Sequence, residues 1–150
     1  MLSVQNPSQE TNRFWIYANN PYDTTIIDPN LTGKLMLFIK KDQLDIQWDI
    51  IKKATENNLL GYNSKCSTAK QNPNAIDEIH GLICVYTADY NKLDEINAVE
   101  KRLRKLVQYH DTIYYKTDIQ TMLDKKEENG FVYLYKLDEQ KNTNTNCILI

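Results

Sequence analysis

No apolar run in this chain approaches the roughly 20 residues of a membrane-spanning helix, and the opening stretch, Met1 to Gln9, lacks the basic segment and apolar core of a secretory signal. The body is therefore expected to be soluble. Charge is scarce in the net: a formal value of -2 at pH 7 excludes general attraction to nucleic acid or anionic lipid, so no nucleic-acid partner is expected and any basic site must be local. The three cysteines, Cys66, Cys84 and Cys147, are odd in number and have no metal-ligand spacing. Because Cys84 lies in an apolar run, the expectation is a reducing compartment, no disulfide, no metal and no other cofactor. Internal repeats are also absent.

What is present suffices for one core. At 150 residues with 41% hydrophobic positions, the chain suits a single domain and is too short for two ordinary ones. Residues 1–12 are polar and read as a flexible arm, residues 13–138 as the domain, and residues 139–150 as a disordered tail. Phe14-Trp15-Ile16-Tyr17 reads as a short strand stopped by Asn19-Asn20-Pro21. From Lys34 to Lys40, Leu35, Leu37 and Ile39 fall on one face of a strand and Lys34, Met36 and Phe38 on the other.

Asp42 can cap a following helix whose stripe is Leu44, Trp48, Ile51 and Thr55, with Gly61 beyond its end. Residues 62–70 can form a strand rising into a loop, and His80 to Ala88 is the clearest buried strand. A second helix from about Asp94 carries the stripe Ile96, Val99, Leu103 and Leu106. Lys101, Arg102, Arg104 and Lys105 read as its polar face, favoured by the helix dipole, rather than as an RNA or lipid contact. Thr112 to Lys116 reads as a strand, Asp118 to Glu128 as a short helix with Ile119, Met122 and Leu123 inward, and Phe131 to Lys136 as the last strand. Alternating strand faces suit an α+β domain whose sheet is covered on one side only.

The chain closes on Cys147-Ile148-Leu149-Ile150, the pattern of a C-terminal prenylation signal, preceded by the polar stretch Gln140 to Asn146 that would lie extended in a prenyltransferase cleft. One prenyl group alone anchors only marginally, and only Lys136 and Lys141 are near to help. Such processing implies a eukaryotic cytosol, in a eukaryote or in the host cell of a bacterium that delivers the protein.

From Gly33-Lys34-Leu35-Met36-Leu37-Phe38 onwards the chain resembles a small family related to the basophilic leukemia expressed protein, whose bacterial members are labelled phosphothreonine lyases. The resemblance continues through Ile50-Ile51-Lys52-Lys53-Ala54-Thr55-Glu56, Leu60-Gly61, Ser64-Lys65-Cys66-Ser67-Thr68-Ala69-Lys70, Ile83-Cys84-Val85-Tyr86-Thr87-Ala88-Asp89-Tyr90 and Tyr115-Lys116-Thr117-Asp118. It spans roughly residues 13–121. It implies a fold similar to the messenger-RNA cap-binding initiation factor, a curved, mainly antiparallel sheet with helices packed on one face. It also implies a possible β-elimination of phosphate from phosphothreonine, with a lysine base, an assisting acid and cations for the phosphate.

The lysines available for such chemistry are Lys34, Lys65, Lys70 and Lys116, with Lys34 or Lys65 as base. Ser64, Ser67 and Thr68 surround Lys65 in sequence and suit an oxyanion. Thr117 and Asp118 suit either the ligand site or, preferably, a helix N-cap. The effector lyases carry a Lys-x-His pair where this chain has Lys34-Leu35-Met36, and a thioether cannot donate a proton. His80 reads as a strand-end residue. Trp48 is on a core stripe and no loop carries a tryptophan, which disfavours cap stacking.

The expected function is a prenylated, membrane-directed domain whose lysine-lined anion site binds a phosphorylated small molecule or peptide; its partners are that ligand, a protein prenyltransferase and a membrane. The alternatives are a phosphothreonine lyase and a protein interaction module. Protein recovered from a eukaryotic cytosol is expected to gain one isoprenoid at Cys147 and lose its last three residues, with Cys147→Ser remaining unmodified and cytosolic. An unmodified chain in an intact-mass measurement would remove the lipid reading.

Overall fold

A computed structural model describes residues 6–72, 77–123 and 133–139 and the backbone of residues 147–149. The strands are β1 (Trp15–Asn19), β2 (Gly33–Lys40), β3 (Asn63–Ser67), β4 (His80–Thr87), β5 (Ile113–Thr117), β6 (Tyr135–Leu137) and β7 (Cys147–Leu149). They form one sheet in the order β1-β3-β4-β2-β5-β6-β7, with every neighbouring pair antiparallel. The helices are α1 (Lys41–Glu56), α2 (Leu93–Val107) and the short α3 (Asp118–Leu123).

Period-two alternation decides which face the helices cover. Leu35, Leu37 and Ile39 of β2, Ile83 and Val85 of β4, and Ile113 and Tyr115 of β5 share one cluster with Trp48 and Ile51 of α1 and Ile96 and Leu103 of α2. The stripe expected for α1, Leu44, Trp48, Ile51 and Thr55, is buried throughout. Truncating Trp48 to Ala would cost about 3–5 kcal/mol by cavity formation. The architecture is thus the expected α+β arrangement, an antiparallel sheet with its long helices on one face.

Several local expectations need correction. Asp42 does not cap α1. The chain passes from the last residue of β2, Lys40, straight into Lys41, and Lys40 at the cap position makes no side-chain capping bond; Asp42 sits in the first turn, where its charge complements the helix dipole. Met122 and Leu123 are exposed rather than inward: no described element packs over them. Residues 124–132 lie outside the described residues. Residues 6–12, expected as a loose arm, include a 3-10 turn (Pro7–Gln9) held by Ser8 N–H to Asp45 Oδ1 at 3.0 Å and by Ala69 N–H to the Pro7 carbonyl at 3.0 Å. Of the expected tail, residues 140–146 lie outside the description, while the backbone of Cys147–Leu149 pairs with β6.

Arg104 also departs from the polar face assigned to it. Its guanidinium is buried, donates to Glu100 Oε2 at 2.5 Å, and spreads its remaining donors over the carbonyls of Tyr109 (3.1 Å), Asp111 (2.8 Å) and Leu137 (2.9 Å). A planar fork is needed to reach the end of α2, the loop beyond it and β6 at once. Arg104→Lys is therefore expected to lower the unfolding free energy by about 2–4 kcal/mol and to speed amide exchange in β6. A loss below about 1 kcal/mol in a denaturant titration would show that these carbonyls are held by other contacts.

Candidate functional site

The face that the long helices leave uncovered is laid out by register. Lys34 of β2 stands opposite Tyr86 of β4 on one side and Lys116 of β5 on the other, while Tyr86 pairs with Asn63 of β3. In the next row Met36 lies between Cys84 and Tyr114, Cys84 pairs with Lys65, and Lys65 pairs with Tyr17 of β1. Side chains in register on neighbouring strands lie about 5 Å apart. Three lysines from three strands are thus placed around a floor of Met36, Cys84 and Tyr86.

Tyr86 is the centre of this group. Its ring centroid is 5.6 Å from Lys34 Nζ, 5.8 Å from Lys65 Nζ and 6.0 Å from the ring of Tyr62. Tyr62 is brought there by Gly61, where any Cβ would run into the Tyr86 carbonyl, so a glycine is required at that crossing. Burial raises the Tyr86 phenol well above the ordinary tyrosine range, with the nearby Cys84 and Asp118 acting the same way. Burial and then the Asp118 carboxylate push Tyr62 up to about 12. Both phenols therefore remain neutral hydrogen-bond donors across the physiological range.

Lys65 and Lys34 are held differently. Lys65 Nζ lies 3.9 Å from the centroid of Trp15, a cation–π contact between β3 and β1. Burial lowers its proton affinity below the usual lysine value, and Lys34 and Lys116 lower it further while Cys84 and Asp118 oppose them. Lys34 is almost fully enclosed. It donates to Asp118 Oδ1 at 2.9 Å and Thr121 Oγ1 at 2.7 Å, and Asp118 in turn accepts from Thr32 Oγ1 at 2.5 Å. Its main work is to tie α3 to β2.

Of the remaining residues expected in the site, few join it. Ser64 points to the helix side, fully buried against Thr55 Oγ1 at 2.7 Å. Ser67 Oγ accepts the Leu82 N–H at 2.9 Å, and Thr68 bonds the Arg13 carbonyl and the Lys70 N–H. Lys70 Nζ lies 4.3 Å from the Phe14 ring and donates to the Asn12 carbonyl at 3.2 Å. Thr117 caps α3 by exchanging bonds with Gln120, as the N-cap reading required. Asp118 joins the cluster through Lys34. His80 is paired with Asp77 at 2.9 Å and sits opposite Lys40, at the far end of β2 from Lys34, so it lends the site no acid. The backbone of Cys147 lies in β7, opposite Leu137 of β6 and at the other end of the sheet from β1.

The aromatic walls Trp15, Tyr62 and Tyr86 escaped the reading of the sequence. For Trp15 and Tyr86 the signal was parity with the lysines, visible only once register aligns the strands; Tyr62, just ahead of β3, does not share that parity and is brought in by the crossing at Gly61. Among the described residues no cluster of histidine, cysteine and carboxylate side chains suits a metal ion, and no helix is long and apolar enough to cross a membrane.

Comparison with solved structures agrees with the architecture. The chain is similar to a schistosome eIF4E complexed with m7GpppA and 4E-BP (TM-score 0.56, 14% identity), over 73% of this chain and 62% of that one. It is also similar to C. elegans eIF4E-3 in complex with the 4E-binding protein Mextli and a cap analog (TM-score 0.54, 13% identity), over 75% of this chain and 67% of that one. The chain thus spans 62% of the schistosome protein's length, and at these identities the likeness concerns the fold alone. No curated protein matches it in sequence. The profile of the basophilic leukemia-expressed protein Bles03 matches residues 27–124, more than half of the chain, and by that match the chain belongs to the Bles03 family.

Proposed function

We propose that the uncovered sheet face binds a phosphomonoester, carried by a small molecule or a peptide, with Lys65 and Lys116 as the cations and Tyr62 and Tyr86 as neutral donors. The observation that carries this reading is the setting of the Lys65 ammonium. Its described contacts are the rings of Trp15 at 3.9 Å and Tyr86 at 5.8 Å, whereas nearby Lys34 is answered by the Asp118 carboxylate. An ammonium held against rings is answered less completely than one held by a carboxylate, and a phosphate dianion fits both that charge and the neutral donors beside it.

Binding rather than elimination is favoured by the state of Lys34. Its ammonium is committed to Asp118 and Thr121, and Met36 beside it is buried and offers no proton. A cap-type stack is not supported by the tryptophans. The chain has two, of which Trp48 is buried in the core and Trp15 has Lys65 over its ring.

Lys65→Met and Lys116→Met are each expected to weaken binding of O-phosphothreonine by roughly ten- to a hundredfold, the value of one charge-assisted contact, while circular dichroism stays unchanged. Calorimetric affinity unchanged in the double variant would place the site elsewhere. Because binding needs protonated Lys65 and its proton affinity is lowered, affinity should fall on the alkaline side at lower pH than an ordinary lysine would dictate. Phosphothreonine is already a dianion there, so the fall reports the lysine. A further expectation concerns Asp118→Ala, which leaves the enclosed Lys34 ammonium unpaired and should destabilise the fold more than Lys34→Met, which leaves the more exposed carboxylate. The opposite order in thermal unfolding would remove the structural role given to Lys34.

A further inference from the structure

Among the described residues β1 ends the sheet with an unblocked edge. It pairs only with β3, and the bonds from Thr68 N–H to the Phe14 carbonyl (3.2 Å) and from Asn20 N–H to the Tyr62 carbonyl (3.1 Å) set the alternation. Residues 14, 16, 18 and 20 turn their backbone groups to β3, so those of Trp15, Tyr17 and Asn19 point outward. Among the described residues none accepts or donates to them. Edges are ordinarily blunted by proline, lysine or a bulge, and Trp15-Ile16-Tyr17-Ala18-Asn19 has no charged residue and no proline.

The side chains of the same three residues stand on the uncovered face, where Lys65 Nζ hangs over Trp15. From this juxtaposition we infer that an extended phosphopeptide adds to the sheet as a strand beside β1, with its phosphorylated side chain on the uncovered face, reaching Lys65. A strand so added would run about 4.8 Å beyond β1 and present every second side chain to that face. A phosphoserine or phosphothreonine opposite Trp15 or Tyr17 then stands on the same face as the Lys65 ammonium, which lies against the Trp15 ring.

Charge selects this occupant over a second copy of the chain. Pairing β1 with β1 would bring two Lys65 ammonium groups to the same seam with no carboxylate in β1 to separate them. The inference rests on the phosphate site at Lys65 and adds the main-chain bonds that would distinguish a peptide from a free phosphomonoester.

The test compares free O-phosphothreonine with a pool of seven-residue peptides, phosphothreonine at the centre and all other positions degenerate, read by calorimetry and by amide exchange at Trp15, Tyr17 and Asn19. The pool is expected to yield peptides binding at least tenfold tighter than the free amino acid and slowing exchange at those three amides. Tyr17→Pro removes an outward N–H without touching the bonds to β3. It should abolish the tenfold gain and leave O-phosphothreonine binding unchanged, whereas Tyr17→Ala, which keeps the N–H, should retain the gain. A gain that survives Tyr17→Pro, a pool no tighter than the free amino acid, or protection of these amides in a peptide-free dimer would each overturn the inference. Loss of O-phosphothreonine binding by the wild-type protein would instead overturn the site at Lys65, whatever the peptides do at the edge.

Discussion

An antiparallel sheet with its long helices on one side must divide each strand into two chemically different halves, and everything else in this molecule follows from that division. The helix side is filled by aliphatic and aromatic side chains whose burial provides the stability. The other side is relieved of that duty. It can hold lysines, phenols and a thioether in rows, and the antiparallel ladder turns residues far apart in the chain into neighbours. Lys34, Tyr86, Lys65 and Lys116 are a group only because β2, β4, β3 and β5 lie side by side.

The lysines on that face show two solutions to burying a cation. Lys34 has a carboxylate and a hydroxyl as acceptors, which commits it to joining α3 to the sheet. Lys65 has aromatic rings instead, and a ring satisfies an ammonium less completely than a carboxylate does. The difference separates a structural lysine from one whose charge remains to be answered. Arg104 on the helix side shows the first solution again, its fork distributed over one carboxylate and three carbonyls.

Much of the architecture was legible in residue pattern. The alternation through Lys34 to Lys40 and the stripe Leu44, Trp48, Ile51 and Thr55 separate covered from uncovered positions before any coordinates are known. The site was legible only in part. Lys34, Lys65, Lys116 and Asp118 were expected in it and are near one another, but Ser64, Ser67, Thr68 and Lys70 were grouped with Lys65 by closeness in sequence. On a strand, adjacent residues face opposite sides. Ser64 therefore ends beneath α1 while Lys65 stands on the uncovered face.

Local sequence determined by itself the strand and helix periods, the one-sided covering of the sheet and the candidate lysines, because those depend on hydrophobic spacing and side-chain chemistry. Which lysine is paired with a carboxylate, which rings surround Lys65, and that β1 stands at the end of the described sheet were decided by the tertiary structure. Cross-strand register and strand order bring together residues separated by dozens of positions, and no local pattern encodes that alignment.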